Sequence, residues 1–167
     1  GQGFGFVELA IAVEEMGRAL LCAPFFSSIV LAATAILNCA SEEQKRALLP
    51  PIATGDVRAT LAFTEENGRW DNSGVAVEAT KTEGGYQLNG VKSFVLDGCT
   101  AEQIVVLARS PGSSGDDGLS LFVVAGDAAG LTKRPLKSMD ETRKLARLEC
   151  QNVHAELLGS EGGAAAP

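Results

Sequence analysis

Basic runs, histidines and paired cysteines are all scarce in this 167-residue sequence. No extended run of lysine and arginine occurs, and the formal charge is −7. That balance excludes nucleic acid and an anionic membrane surface as the partner. One histidine, His154, and four cysteines (Cys22, Cys39, Cys99, Cys150) without a C-x-x-C pair leave few ligands for a metal, so no metal site is expected. The thiols read as buried, reduced side chains of a cytoplasmic protein. The N-terminus lacks a basic region, which predicts no signal peptide. Charge is also missing from Ala19 to Leu37, ALLCAPFFSSIVLAATAIL, a stretch as long as a membrane-spanning helix. Pro24 and the Ser27-Ser28 pair interrupt it, so it reads as two helices of a packed core instead.

What is present changes character near residue 57. The earlier part is helical. GFVELAIAVEEMGRAL sets Glu8, Glu15 and Arg18 on one flank and Val7, Ala10 and Ile11 on another, with Glu14 and Arg18 four apart. Ser41 opens SEEQKRALLPPIATG as an N-cap, Gln44 completes a capping box, and Pro50-Pro51 are expected to stop that helix. Beyond residue 57 the period is two. ATLAFT, VAVEATKT, GYQLNGVKSFVL, QIVVLARS, LSLFVVAG and ARLECQNVHAELL are short, rich in β-branched residues and separated by turn chemistry. Val75, Val77 and Ala79 alternate with polar residues, which predicts a strand with one wet face. Asn89-Gly90 is expected to be a two-residue hairpin turn. The fold class predicted is therefore α+β: N-terminal helices over 1–57, then an antiparallel β-barrel over 58–158 with the helices at one end. Residues 159–167, ending EGGAAAP, read as a linker.

The stretch Leu61 to Asp71, LAFTEENGRWD, is the candidate for chemistry. Glu65 and Glu66 are adjacent, so on a strand they face opposite ways and make a poor acid/base pair. Thr64 at a strand end offers a hydroxyl and loop N–H groups to a planar ligand, and Phe94 in KSFVLDG offers an aromatic wall. A satisfied strand-end threonine and a core phenylalanine explain the same two residues without any ligand.

Taken in order, EEMGRAL, SEEQKRALLPPIATGD, LAFTE, GYQLNGVKSFVLDG, a strand ending in ARS, and LSLFVV followed by GL resemble the acyl-CoA dehydrogenase family over nearly the whole chain. In that family a helical domain leads into a middle β-barrel, and a four-helix C-terminal domain follows. This sequence resembles the end of the first and all of the second, with no counterpart to the third. The resemblance implies FAD as cofactor, an acyl-CoA substrate, an electron-transfer acceptor and a homo- or hetero-oligomer. The family segment of form T-E-P-G-A-G-S-D aligns with Thr64 to Asp71. This implies that Leu61, Phe63 and Thr64 hold the pyrimidine side of the flavin and that Trp70 meets the acyl chain. The segment K-x-W-I-T/S-N-G aligns with Lys92 to Gly98, making Phe94, Val95 and Leu96 the flavin-facing trio.

Departures accompany these matches. Glu66-Asn67-Gly68-Arg69-Trp70 stands for P-G-A-G-S, so a tryptophan replaces the small serine. Leu96 replaces a hydroxyl residue, Phe94 replaces a tryptophan, and SMDETRKLARLEC stands where L-G-x-R-x-S is usual. The family's base is a glutamate of the C-terminal helical domain with no corresponding position here, so no catalytic residue is assigned. Three readings follow: part of an FAD-dependent acyl-CoA dehydrogenase, a non-catalytic partner subunit of such an enzyme, or a related barrel flavoprotein monooxygenase. In all three the two glutamates of the loop are expected to be structural.

Overall fold

Ser28 ties the helices to the barrel. Its hydroxyl accepts from the Ala59 N–H at 3.0 Å and donates to the Ala59 carbonyl at 2.9 Å. The computed structural model describes residues 3–164. Helix α1 spans Phe6–Arg18, a π-helical stretch Phe26–Ala33 runs on into α2 (Thr34–Cys39), and α3 spans Glu42–Thr54. Seven strands follow: β1 Ala59–Ala62, β2 Glu78–Thr82, β3 Gly85–Leu96, β4 Gln103–Arg109, β5 Leu119–Ala125, β6 Leu131–Pro135 and β7 Leu145–Leu158. The uncharged run of residues 19–37 is broken near Pro24. Among the described residues no helix is long and apolar enough to cross a membrane.

Local chemistry explains most element ends. Ser41 Oγ accepts from the Gln44 N–H and the Gln44 side chain accepts from the Ser41 N–H, completing the expected capping box. Pro50 and Pro51 do not stop α3, contrary to expectation; both lie inside it. They fall in its last turns, where each removes one i→i−4 ladder bond and crowds the carbonyl four residues before it, and the helix ends within one turn of them. Gly55, left-handed at φ 83°, ends the helix. In α1, Arg18 pairs with Glu15 at 3.1 Å rather than with Glu14.

Strands β4–β2–β3–β7–β5 form a path, and the β4–β5 pairing closes it into a barrel. Most ladders are antiparallel, but β1 and β2 both run parallel to β4. They share one edge of β4: β1 pairs with residues 103–106 and β2 at Arg109. The chain leaves the sheet between them, and that excursion, residues 63–77, is the site loop. Strand β6 escapes a period-two reading because its LTKRP is mostly exposed and pairs only with β7.

The Asn89-Gly90 hairpin is also corrected. Strand β3 is continuous there, pairing with β7 on both sides, and β7 carries one additional residue opposite, with Asn152 left-handed at φ 53°. The β2–β3 hairpin turns instead at Glu83-Gly84, where Thr82 pairs with Gly85.

Two apolar clusters hold the molecule. Val77, Leu88, Val95, Ile104, Val106, Phe122, Leu148 and Val153 fill the barrel. Ala32, Ile36 and Ile52 pack on Ala59, Val105, Leu121 and Leu158, so the helices cover the outer face of the barrel rather than one end. This is why QIVVLAR is a continuous apolar run: β4 is buried on both faces. Each fully buried side chain such as Ile36 contributes about 1.5–3 kcal/mol.

Candidate flavin and acyl-CoA site

The loop of residues 63–77 is held down by buried polar contacts. Thr64 Oγ1 donates to the Ser93 carbonyl at 2.6 Å, and the Ser93 N–H donates back to the Thr64 carbonyl at 3.0 Å. Immediately beyond, Lys92 Nζ donates to Glu65 Oε1 at 2.8 Å and to the Phe63 carbonyl at 3.3 Å. The same Glu65 oxygen accepts from the Ala76 and Val77 N–H groups at 2.9 and 3.0 Å. The two side chains are 0% and 8% exposed, so water does not screen the pair. Burial pushes the Lys92 ammonium below its ordinary range, and the Glu65 carboxylate acts against that shift. Removing one partner of such a pair costs about 3–5 kcal/mol.

Arg109 fastens the outer end of the loop. Its guanidinium is buried and donates to the carbonyls of Val75 (2.6 Å), Asn72 (2.9 Å) and Gly115 (3.1 Å). Glu66 points away to solvent and pairs with Arg147 at 2.7 Å. The two glutamates thus diverge, and both are bound up in structural contacts.

Opposite Thr64, β3 makes its own bulge. Between Lys92 and Val95 it spends three steps against two on β7, and Phe94 sits at φ 60°. A left-handed bulky residue costs on the order of 1–3 kcal/mol, and such strain persists where its surroundings over-determine it. The bulge turns the Phe94 ring outward, 49% exposed, while Val95 points into the barrel core.

These features shape one cleft of about 610 Å³ whose lining includes Phe26, Phe63, Thr64, Trp70, Phe94 and Leu96. Of the residues expected from sequence, Phe63, Thr64, Trp70, Phe94 and Leu96 meet here. Leu61 does not; it packs between barrel and helices. The Val95 side chain lies inside the barrel, away from the cleft. Trp70 stands at the mouth, 81% exposed, edge-on to Phe63 with ring centroids 5.5 Å apart at 85°. Across from it, Ser138, Asp140 and Arg143 of the β6–β7 connection and Leu145 at the start of β7 complete the wall. Asp140 accepts from the Thr142 O–H at 2.6 Å and N–H at 2.9 Å, and these bonds hold its carboxyl below the usual range. It is a weak proton acceptor for that reason.

The residues suit a flat, largely apolar ligand with a hydrogen-bonding edge, which is what an isoalloxazine presents. The Thr64 proton is committed to Ser93, so its oxygen offers lone pairs to an N–H donor, and Phe94 offers a ring face. Sequence reasoning missed Lys92, Arg109 and the β6–β7 wall. For Lys92 a signal existed: it falls in phase with Tyr86 and Leu88 on the inward face of β3, an unusual place for a lysine.

The comparisons agree with this architecture. The sequence matches the family model described as "Acyl-CoA dehydrogenase, middle domain" over residues 60–153 and "Acyl-CoA dehydrogenase, N-terminal domain" over residues 1–56. The chain belongs to the acyl-CoA dehydrogenase family, a family of flavoprotein oxidoreductases. It is 31% identical over 170 residues to the acryloyl-CoA reductase (NADH) of Anaerotignum propionicum, covering 97% of this chain and 43% of that one. It is 31% identical over 160 residues to the short-chain-specific acyl-CoA dehydrogenase of Megasphaera elsdenii, covering 91% and 42%. Among solved structures, butyryl-CoA dehydrogenase from Megasphaera elsdenii superposes with a TM-score of 0.74 at 31% identity, covering 81% of this chain and 37% of that one. A variant of the Tcur3481-Tcur3483 steroid ACAD superposes with a TM-score of 0.80 at 29% identity, covering 98% and 43%. The chain spans less than half the length of these relatives.

Proposed function

We propose that this chain supplies the flavin- and acyl-CoA-facing barrel of an FAD-dependent acyl-CoA dehydrogenase that desaturates the α,β bond of an acyl-CoA thioester. In this reading it works within a homo- or hetero-oligomer and hands its electrons to a separate acceptor. The supporting observation is the convergence of Phe63, Thr64, Trp70, Phe94 and Leu96, from two separate segments, on one cleft. A flavin held here would supply the acceptor for the hydride of the acyl β-carbon. The chain's own part is binding and orientation. Thr64 accepts a hydrogen bond at the ring edge, Phe94 walls one face, and Phe26, Leu96 and Leu145 keep water from the cleft floor. No group in the cleft is assigned as base.

Trp70 gives the mouth a broad flat edge, which suits an acyl group carrying rings, and the likeness to a steroid ACAD supports that choice. The test is FAD retention on dialysis, followed by anaerobic addition of butyryl-CoA or a ring-bearing acyl-CoA. We expect retained flavin and no bleaching of the oxidised band by residues 1–167 alone. Bleaching by the ring-bearing ester should follow once the base-bearing helical domain, or a partner subunit that carries it, is added. Thr64→Ala should lose about 1 kcal/mol in FAD affinity, roughly fivefold. A second reading, a non-catalytic partner subunit, is favoured by Leu96, which brings no hydroxyl to the cleft. Failure to retain FAD, with no effect of Thr64→Ala, would decide for it.

A further inference from the structure

We propose that the buried Lys92–Glu65 pair is the positioning element of this cleft, setting the left-handed backbone of Phe94 and the place of Phe63. This rests on the flavin reading above for its consequence, but on geometry for its premise. Three consecutive residues at the start of the loop are bound to two consecutive residues of β3. Phe63 accepts from Lys92 Nζ, Thr64 exchanges two hydrogen bonds with Ser93, and Glu65 accepts from Lys92 Nζ. Glu65 Oε1 also receives the Ala76 and Val77 N–H groups, so a single oxygen joins the loop's beginning, its end and the strand opposite.

The register makes the position consequential. Lys92 is the last residue of β3 paired to β7 before the bulge, at Leu148, and Phe94 lies within the bulge. Lys92 is completely buried, and among the described residues its ammonium finds acceptors only on the loop. A side chain anchored in this way fixes the point from which the strand departs into the bulge. Nothing in the barrel's apolar packing requires an ion pair here. Tyr86 and Leu88 occupy the same inward face as ordinary core residues. An apolar residue at position 92 would fill the space without holding Phe63 and Glu65.

A merely structural role would show as lost stability alone, so the experiment separates stability from positioning. Lys92→Met keeps an unbranched side chain, one atom shorter, and removes its two contacts. Ile52→Val, in the helix–barrel cluster, serves as a destabilised control remote from the cleft. In flavin-free protein, the emission and near-UV dichroism of Trp70, the only tryptophan, report on its contact with Phe63. FAD dissociation is then measured on the same variants after FAD has been added back. We expect Lys92→Met to move the Trp70 signals and to weaken FAD retention at least tenfold, while Ile52→Val lowers Tm and leaves both unchanged. Should Lys92→Met fail to fold, Glu65→Gln is read in the same way, since it keeps an acceptor oxygen and removes the charge. A folded variant whose Trp70 signals and FAD retention match the control overturns the proposal. Absence of FAD from the unaltered protein would instead refute the flavin reading, and the Trp70 comparison would still decide the positioning role.

Discussion

Asn89 and Asn152 face each other across the β3–β7 ladder and exchange two hydrogen bonds. Asn89 Nδ2 donates to Asn152 Oδ1 at 3.1 Å, and the Asn152 N–H donates to Asn89 Oδ1 at 2.8 Å. Beside them Gly90 adopts φ 133°, and a Cβ there would stand 3.0 Å from both Cα and Cγ2 of Val77. The glycine thus serves the close approach of the site loop's end, at Val77, to the barrel.

Gly90→Ala should therefore be destabilising twice over, by backbone strain and by the clash with Val77. Each contributes about 1–3 kcal/mol. Gly84→Ala, at the true hairpin turn, meets nothing within 4 Å and has an ordinary φ, so it should shift stability by less than about 0.5 kcal/mol. Urea midpoints of the two variants check this. Equal effects would mean that Asn89-Gly90 and Glu83-Gly84 are not distinguished as the structure distinguishes them.

This pair of glycines shows what the sequence could and could not convey. The period switch near residue 57 and the Ser41–Gln44 cap are local signals, and both were legible. Asn-Gly between apolar runs has two uses, a turn or a close backbone approach, and only the β3–β7 register chooses between them. The parallel placement of β1 and β2 along one edge of β4 is likewise a long-range fact. So is the meeting of Thr64 with Ser93, 29 residues apart, although the family resemblance brought both segments to notice. Strand β6 went unread because an exposed edge strand ending in proline carries no apolar alternation.

The cysteines should divide by burial. Cys22 and Cys99 are exposed, whereas Cys150 is 4% exposed and lines the barrel interior near Lys92. Burial pushes the Cys150 thiol up to about 11, with Lys92 acting against that shift. At pH 8 its thiolate fraction is on the order of 10⁻³. Cys22 and Cys99 should react with a disulfide reagent within minutes, and Cys150 only at the rate of global opening. Mass mapping of labelled peptides measures this. Labelling of Cys150 as fast as Cys22 would contradict the closed barrel.

The loop bearing Trp70 should be an acid-sensitive clip. Asp71 accepts from Ser73 through both the hydroxyl and the backbone N–H, and Arg69 reaches it with two hydrogen bonds of 2.9 Å. The Ser73 hydroxyl first, and Arg69 second, hold the Asp71 carboxyl down from 3.8 to about 2. Because the folded-state value is depressed, the clip's contribution is fully present above pH 3.8 and is lost as pH falls through about 2. Trp70, between the two partners, should keep its emission unchanged from pH 7 to about 3 and shift only on further acidification. Asp71→Asn should show the shifted emission already at pH 7, with Tm nearly unchanged because the group is solvent-exposed. Salt should weaken the Arg69 contribution and leave the Ser73 bond, moving the midpoint modestly upward. A Trp70 transition centred near pH 4, at the ordinary carboxylate value and unaffected by Asp71→Asn, would show that the loop is not held in this way.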